Sequence, residues 1–439
     1  MITFFVFILT ISIVVGVHEF GHFQMARWCN VKVLKFSIGF GNPIFTFRLG
    51  KDQTAFVISA VPLGGYVKLL DENNLESNEK IKKNDIKRAF NQQPLIKRFL
   101  IVAAGPLINI ILGIIIFCFI YMHGSLQIKP SISDLSVSSE AYQKGLRVGD
   151  DIVLLDGLEI KSIEDLNISL KTHPQVFKDV YLKREGKLIH IKNLFWTNEI
   201  KVFPYGLPIL IQSIEANSIA EKIGLRIHDE IVMVDQIPVK NIPDLIAIIQ
   251  NHWLKSFDLT IKRENIIQYI HIDKELFEGK VDKKRIGVVL GYDENVIKAY
   301  LVEVKRTFGD SIKKSFAQTF TFFNLTLTTL KNLFIQKADL KDLGGPLAIA
   351  HMASSSFLEG IFPFIQFIGL ISLNIGVLNL LPIPLLDGGY LAFYLLEFAK
   401  GKHLSNEKMM ISQRVGMFIL GLLTVIALYN DACRYLLGS

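Results

Sequence analysis

Two histidines and a glutamate near the start of the chain have the spacing of a zinc hydrolase. The stretch VHEFGHFQMARW, residues 17–28, follows directly on an apolar run. Because His18 and His22 are four residues apart, a helix puts both imidazoles on one face, where they can bind one metal. Glu19 lies about 100° around the helix, beside a water that the metal would bind. Zinc lowers the pKa of such a water, the carboxylate takes its proton, and the hydroxide attacks a carbonyl.

A second interpretation makes His18 and Glu19 interfacial residues that only end a helix. Ionisable residues at membrane depth are costly and rare unless a functional cavity holds them, which favours the metal site. A catalytic zinc takes three protein ligands and keeps one position open. The third ligand is therefore expected at the same membrane depth as His18 and His22.

Four stretches are long and apolar enough to cross a bilayer, at about 2–17, 99–121, 361–381 and 413–429. Half of the 439 residues are hydrophobic, and the mean hydropathy of +0.36 is high for a soluble protein. The N-terminal run has no Lys or Arg before Arg27 and no small-residue cleavage site, so we expect it to stay in the membrane. The sequence predicts an α-helical membrane protein with about four transmembrane helices.

Topology places the third ligand near the end of the third span. The second and third spans return the chain to the side where the first span ends, and there it reads SLNIGVLNLLPIPLLDGGY, residues 372–390. Pro382 and Pro384 cannot continue a regular helix, and irregular backbone at membrane depth is tolerated where it lines a cavity. Asp387, the acidic residue at the matching depth, is the predicted third ligand.

Three asparagines lie in the predicted spans. A buried amide can donate to a substrate carbonyl or to the oxyanion formed on it, and we assign this role to Asn379. Asn374 and Asn109 are expected to form hydrogen bonds between helices instead.

Basic residues are concentrated between the first two spans. The net charge is +7, and the segment KIKKNDIKRAFNQQPLIKRF, residues 80–99, carries much of it. Beside a membrane segment this cluster indicates a cytoplasmic flank attracted to anionic lipid, and not a nucleic-acid site. The 23–98 loop is therefore assigned to the cytoplasm, and region 123–360 to the outer side. Cys29 and Cys433 are expected to have no chemical role.

An internal repeat lies between the second and third spans. GLRVGDDIVLLDGLEIKSIEDL, residues 145–166, and GLRIHDEIVMVDQIPVKNIPDL, residues 224–245, match at about half of their positions. Their separation is the length of one small domain, so two copies of one domain are predicted. Each copy combines a glycine-leucine turn with a β-branched strand and a helix that begins near Asp165 or Asp244.

This pattern resembles a PDZ domain. PDZ domains add an extended peptide to a sheet edge and often capture a terminal carboxylate on backbone amides. The stretch YGLPILIQ, residues 205–212, is the expected peptide-binding loop and strand, with Gly206 and Leu207 as substrate contacts. The corresponding stretch 128–135 is a poorer match, and a role of these domains as spacers is the alternative.

Two further regions contain recognisable elements. The stretches FSIGFGNPIFTF and TAFVISAVPLGGYVKLL are β-rich and predict hairpins at the membrane edge, or core strands of a small cytoplasmic domain. From about 297 to 335 apolar residues recur at helical spacing among basic ones. This predicts an amphipathic helix that lies on the membrane surface or packs on the second PDZ-like domain.

Together the two motifs resemble those of the site-2 protease family of intramembrane zinc metalloproteases. HEFGH (18–22) and NLLPIPLLDG (379–388) match the HExxH and Asn-x-x-Pro-x-Pro-x-x-Asp-Gly signatures of that family. The tandem PDZ-like domains, with PLGGYVKLL (62–70) and VAAGPLIN (102–109), narrow the resemblance to its bacterial sigma-E-regulating branch. The resemblance implies one Zn²⁺ per chain on His18, His22 and Asp387, with Glu19 as general base and Asn379 on the substrate.

The same resemblance implies cleavage of single-span membrane proteins within the bilayer after another protease has trimmed them. An anti-sigma factor is the expected type of substrate, and signal-peptide remnants are a second one. The other expected partners are membrane lipid and, at the PDZ-like domains, peptide C-termini or extended segments. A membrane zinc hydrolase acting on another amphiphile and a non-catalytic PDZ-type adaptor are the rival functions.

The predicted organisation places a multi-pass protein in the bacterial inner membrane, with periplasmic PDZ-like domains and an active site near the cytoplasmic side. The segments are the first transmembrane helix (1–28), the cytoplasmic loop with membrane-associated β-hairpins (29–98), the second transmembrane helix (99–122), two α+β PDZ-like domains (123–204 and 205–295), an amphipathic helix and linker (296–360), the third transmembrane helix (361–390), and a cytoplasmic segment with the fourth (391–439).

Overall fold

The computed structural model describes residues 2–72, 83–172, 176–215, 218–252, 255–277, 286–334, 344–401 and 406–435. Residues 80–82 of the basic segment therefore lie outside the described residues. The chain divides into two compact units. One unit, the membrane unit, combines Met1–His123 with Arg306–Leu437, and the other, the repeat unit, is Gly124–Lys305.

The helices and strands follow one another along the chain. The helices are α1 (Ile2–Trp28), α2 (Leu95–His123), α3 (Glu140–Gln143), α4 (Ile163–Thr172), α5 (Ile219–Lys222), α6 (Ile242–Asn251), α7 (Glu294–Ala299), α8 (Phe308–Phe334), α9 (Pro346–Glu359), α10 (Ile361–Leu380), α11 (Asp387–Lys400) and α12 (Asn406–Tyr435). The strands are β1 (Val33–Leu49), β2 (Thr54–Leu69), β3 (Ser125–Ile128), β4 (Ile132–Leu135), β5 (Asp151–Leu155), β6 (Leu158–Glu159), β7 (Val176–Arg184), β8 (Lys187–Phe195), β9 (Ile200–Val202), β10 (Ile209–Ile214), β11 (Glu230–Val234), β12 (Ile237–Pro238), β13 (Phe257–Arg263), β14 (Ile266–Ile272), β15 (Val288–Tyr292) and β16 (Leu301–Val304).

Four helices of the membrane unit are long and apolar enough to cross a bilayer. Among the described residues these are α1, α2, α10 and the stretch Met410–Cys433 of α12. Each predicted span thus coincides with one of these candidate membrane helices. Helices α1 and α2 are longer than the predicted apolar stretches, since α1 continues through the histidine motif to Trp28 and α2 begins at Leu95.

Small residues let the spans approach one another closely. A Cβ atom added at Gly376 of α10 would lie 2.8 Å from the Pro106 carbonyl oxygen of α2, and one added at Gly21 of α1 would overlap the Ala104 carbonyl. Small residues at helix crossings allow this contact in membranes, where van der Waals packing drives association. The crossing of α1 over α2 at Gly21 is what brings the histidine motif onto α2.

The predicted amphipathic helix begins later than the expected residue 297 and packs on elements other than those predicted. It begins at Phe308, because Val304 belongs to β16, which pairs with β3. In α8 the Phe322 ring packs 6.0 Å from that of Phe117 in α2, and Thr326 donates a hydrogen bond to Asn374 in α10. The helix therefore packs on the second and third spans, a contact that neither alternative predicted.

The predicted linker before the third span contains a helix of its own, α9. Its N-terminal amides are bound by the buried Asp431 carboxylate of α12, which accepts hydrogen bonds from Gly345, Leu347 and Ala348. The first amides of a helix have no partner within the helix, so this carboxylate satisfies them. Asp431 thereby ties α12 to α9.

The loop between the first two spans forms one sheet from four segments. Residues 33–38 pair with 65–69 on one side and with 55–58 on the other, and 43–49 pairs with the outer side of 54–59. Phe23 of α1 packs against Phe36 and Phe56 of this sheet. The predicted strands are therefore present and pack on α1, while their place at the membrane edge or in the core of a small domain stays a prediction.

The repeat unit contains a pair of equivalent ion pairs that identify its two copies. In the first copy Arg184 contacts the buried Asp150 and donates to the Gly145 carbonyl. In the second, Arg263 contacts Asp229 and Gly224 in the same way. The two predicted copies thus have the same local structure, and Asp229 raises the pKa of the Arg263 guanidinium through its hydrogen bonds.

Replacing Arg263 by Met is expected to destabilise the second copy by about 3–5 kcal/mol, because it leaves a buried carboxylate without its cation. Hydrogen exchange in β13 of the full chain should accelerate by about a hundredfold or more. Lys262→Met is the control, since its ion pair with Glu230 is longer, at 3.5 Å, and more exposed. Equal exchange in the two variants would contradict a structural role for this pair.

Candidate active site

Three potential metal ligands meet where α1, α2 and α11 come together. The Nε2 atom of His18 lies 3.3 Å from that of His22, and the Asp387 Oδ2 atom lies 3.0 Å and 3.4 Å from them. Ligands at about 2.0–2.1 Å from a tetrahedral zinc are about 3.3 Å apart. The Asp387 Oδ2 atom is also buried without a hydrogen-bond partner among the described residues. The donor atoms therefore fit a zinc ion.

A break in the chain presents Asp387 to the histidines. Helix α10 ends at Leu380, and the segment 381–386, which contains Pro382 and Pro384, separates it from α11. Asp387 is the first residue of α11. A Cβ atom at Gly389 would lie 2.6 Å from the Ile383 carbonyl oxygen, so the Asp-Gly-Gly sequence lets the break fold tightly onto α11. The prolines thus act as the sequence predicts.

Glu19 is buried beside the ligands and against the β-sheet. Only 9 % of its surface is exposed. A Cβ atom at Gly65 would lie 2.9 Å from the Glu19 Cγ atom, and the Val67 amide donates a hydrogen bond to the carboxylate. Glu19 is not a member of the cluster of potential ligands. Its position fits a base beside the metal site.

Helix α2 contacts the Nδ1 atoms of both imidazole rings, opposite the cluster of potential ligands. The His22 Nδ1 atom lies 2.8 Å from the Ile101 carbonyl oxygen, and the His18 Nδ1 atom lies 3.4 Å from the Asn109 amide. A Cβ atom at Gly105 would overlap His22 Nε2 and lie 2.9 Å from His18 Nε2. The VAAGPLIN motif contributes to the family resemblance, but the sequence did not predict that Gly105 and Asn109 contact the histidines.

The predicted asparagines have different surroundings. Asn379 is half-buried and lies one residue before the end of α10. Asn374 accepts the hydrogen bond from Thr326 that was expected between helices. Asn109 contacts a histidine, and therefore belongs to the surroundings of the metal site.

Gly206 and Leu207 do not form the predicted peptide-binding loop. The Gly206 amide donates to the Lys240 carbonyl at 2.5 Å and the Leu207 amide to the Pro204 carbonyl at 3.3 Å, so neither is free for a carboxylate. The following strand β10 is paired with β11 on one side and β15 on the other. The interpretation of 205–212 as a peptide acceptor is wrong, because its amides are already used.

Comparison with known proteins agrees with the two motifs. The sequence model of peptidase family M50 matches residues 6–423. The chain is 33 % identical to the regulator of sigma E protease of Haemophilus influenzae over 450 residues, and the alignment covers 98 % of each chain. It is 31 % identical to the regulator of sigma-E protease RseP of Salmonella typhimurium over 450 residues, again with 98 % of each chain covered.

The name of a third relative includes the metal. A candidate zinc metalloprotease of Pasteurella multocida is 33 % identical over 446 residues, with 98 % of each chain covered. The matched region contains α2 and α10 completely and all of α1 and α12 except the start of α1 and the end of α12. The chain therefore belongs to peptidase family M50, the site-2 protease family, as a zinc metalloendopeptidase of the sigma-E protease type.

Proposed function

We propose that this protein hydrolyses peptide bonds within the transmembrane segments of single-span proteins that another protease has already trimmed. The observation that carries the proposal is the approach of His18, His22 and Asp387 at the break that follows membrane helix α10. One zinc ion per chain would be held by these residues. Bound there, zinc supplies activation of a water and polarisation of the scissile carbonyl.

Glu19 would accept the proton of the attacking water. Its carboxylate is close enough to the histidines for electrostatic interaction with both, and it is almost completely buried. Burial beside apolar helices excludes bulk water, which strengthens the interactions of a charged base with its surroundings. The proton taken by Glu19 would then pass to the leaving amine, as expected for a general base that becomes an acid.

The β-sheet would hold the substrate in an extended form. A transmembrane helix satisfies its backbone hydrogen bonds internally, so it must unwind before its carbonyls can be attacked. Segment 65–69 is paired on one side only among the described residues, and Gly65 lies against Glu19. A substrate strand added to this edge would pass the base. Asn379 would donate its amide to the carbonyl that is attacked.

Cleavage of a purified reporter in liposomes tests the proposal. The reporter has one transmembrane segment and either a short tail or a folded domain on the outer side. We expect the short-tailed form to be cut, cutting to stop with a zinc chelator, and re-added zinc to restore it. Asp387→Ala should be inactive with or without zinc. Hydrolysis of lipid without any cut of the reporter would replace the proposal with the rival membrane hydrolase.

The repeat unit would bind a peptide segment at β15 and not at 205–212. Strand β15 ends its sheet, so one of its edges is unpaired among the described residues. The preceding Gly287 has a φ angle of +85°, a conformation that glycine adopts more readily than other residues. Exposed strand edges accept extended peptides. On the outer side of the inner membrane, such a site would receive the new C-terminus of a trimmed substrate.

A photo-reactive residue at Val289 tests this position. Val289 lies in β15 and is 49 % exposed, and Ile237, in β12 of the same sheet, is a control with 46 % exposure. A labelled peptide with a free C-terminus is expected to crosslink to position 289 and not to position 237. If neither position is labelled although the full chain still cuts the short-tailed reporter, the repeat unit acts as a size filter.

A further inference from the structure

The buried amide of Asn109 has an arrangement that its role between helices does not explain. Asn109 is 0 % exposed, and its Oδ1 atom has no hydrogen-bond partner among the described residues. Its Nδ2 atom lies 3.4 Å from the Nδ1 atom of His18. A buried acceptor without a donor costs about 1–3 kcal/mol. Asn109 therefore has an unsatisfied acceptor next to an imidazole nitrogen.

The chemistry of a histidine ligand decides which amide atom faces the ring. The Nε2 atom of His18 points to His22 and Asp387, so this nitrogen is the one available to a metal. A neutral imidazole that binds a metal through Nε2 carries its hydrogen on Nδ1. The group beside Nδ1 must then be an acceptor, and the Asn109 amide provides one when a half-turn about its last bond exchanges Oδ1 and Nδ2.

His22 has the same arrangement without any rotation. Its Nε2 atom faces the ligand cluster, and its Nδ1 atom lies 2.8 Å from the Ile101 carbonyl oxygen. Ile101 and Asn109 are both on α2, two turns apart, and so face the same side of that helix. Helix α2 thus offers one acceptor to each histidine, a main-chain oxygen to His22 and a side-chain oxygen to His18.

Contacts from α10 hold Asn109 in place. The Ser372 hydroxyl donates to the Asn109 main-chain oxygen at 2.9 Å, and Gly376 packs against the Asn109 Cβ atom. Asn109 has no exposed surface through which it could reach a substrate. Its side chain therefore acts on the reaction only through His18.

We propose that Asn109 is a positioning residue that accepts the Nδ1 hydrogen of His18 and so keeps Nε2 free for zinc. The inference rests on the proposed assignment of His18 as a ligand. Groups that orient metal-binding histidines in this way contribute about 10- to 100-fold to metal affinity. Helix α2 then determines the tautomer of both histidines.

Zinc affinity of the full chain in detergent, measured by competition with a chromogenic chelator, tests the role. Asn109→Leu removes the acceptor at similar volume and is expected to weaken zinc binding by about 10- to 100-fold. Asn374→Leu is the matched control, because it also removes a half-buried amide that bonds a neighbouring helix, and its zinc affinity should stay within about twofold of the original. Asn109→Asp keeps an acceptor oxygen and should restore most of the affinity.

Each outcome separates this inference from the ligand assignment. If Asn109→Leu binds zinc as tightly as the unchanged protein while His18→Ala does not, the positioning role is overturned and the ligand assignment stands. If His18→Ala also keeps its zinc, the proposed site itself is wrong. If the aspartate variant does not fold, the nitrogen-15 resonances of His18 in the unchanged protein show which ring nitrogen carries the hydrogen. We expect a hydrogen on Nδ1 in the zinc-loaded protein, and a hydrogen on Nε2 would contradict the proposal.

Discussion

Replacing Glu19 by Gln is expected to abolish cleavage of a trimmed single-span reporter while zinc stays bound. Glutamine has the shape of glutamate but cannot take a proton from water, and the loss of a positioned general base costs about 10²- to 10⁴-fold in rate. Glu19 lies outside the cluster formed by His18, His22 and Asp387, so the metal should keep all three ligands. Rate and zinc content are measured on the same preparation.

Glu359→Gln is the matched control for this experiment. Glu359 ends α9 and is exposed, so the same loss of charge should leave the rate unchanged. Chelator treatment of the unchanged protein provides the opposite comparison, since it removes zinc and keeps the base. Cleavage by Glu19→Gln at near the original rate would exclude Glu19 as the base and would require another proton acceptor near the metal.

The cluster of His18, His22 and Asp387 could be predicted from the sequence because the positions of its members depend on local rules. His18 and His22 share a helix face whatever that helix contacts, and hydrophobic stretches give the depth at which the chain returns. Pro382 and Pro384 break a helix wherever they stand. The membrane depth and the helix break together were sufficient to select Asp387. Its Oδ2 atom lies within 3.4 Å of the Nε2 atoms of both histidines.

The residues that surround this cluster could not be predicted in the same way. Asn109 meets His18 only because α1 and α2 cross at Gly21, and the pattern of a single helix does not specify the rotation of its neighbour. Val304 fits the spacing of a helix but pairs in β16 with Ser125 of β3. Such distant pairings override local periodicity.

The error at 205–212 has a related cause. The sequence correctly indicated a strand after Gly206, which is β10. It did not indicate that β15, and not β10, lies at the edge of the sheet. Strand β15 follows the other strands of the second copy and pairs with β10, as β9 pairs with β4 in the first. The last strand of each copy therefore covers the strand that begins it. Periodicity identifies strands, but their order in a sheet depends on contacts between distant residues.

Gly105→Ala is expected to weaken zinc binding and to abolish cleavage, although alanine favours a helix over glycine by about 0.5–1 kcal/mol. A Cβ atom at this position would overlap His22 Nε2 and lie 2.9 Å from His18 Nε2. Rings so displaced cannot keep the spacing of about 3.3 Å that a tetrahedral zinc needs. We expect at least about a tenfold loss of zinc affinity, comparable with the loss of an orienting group.

Two control variants separate this effect from general damage to the packing of α2. Gly113→Ala in the same helix would place its Cβ against the Leu373 side chain, remote from the histidines, and should lower thermal stability while keeping zinc affinity. Gly421→Ala in α12 meets no atom within 4 Å and should change neither property. Equal zinc affinity in Gly105→Ala and Gly113→Ala would show that the rings tolerate the added methyl group. In that case α2 would have to move away from α1 at Gly21, and a lower thermal stability of Gly105→Ala would reveal this movement.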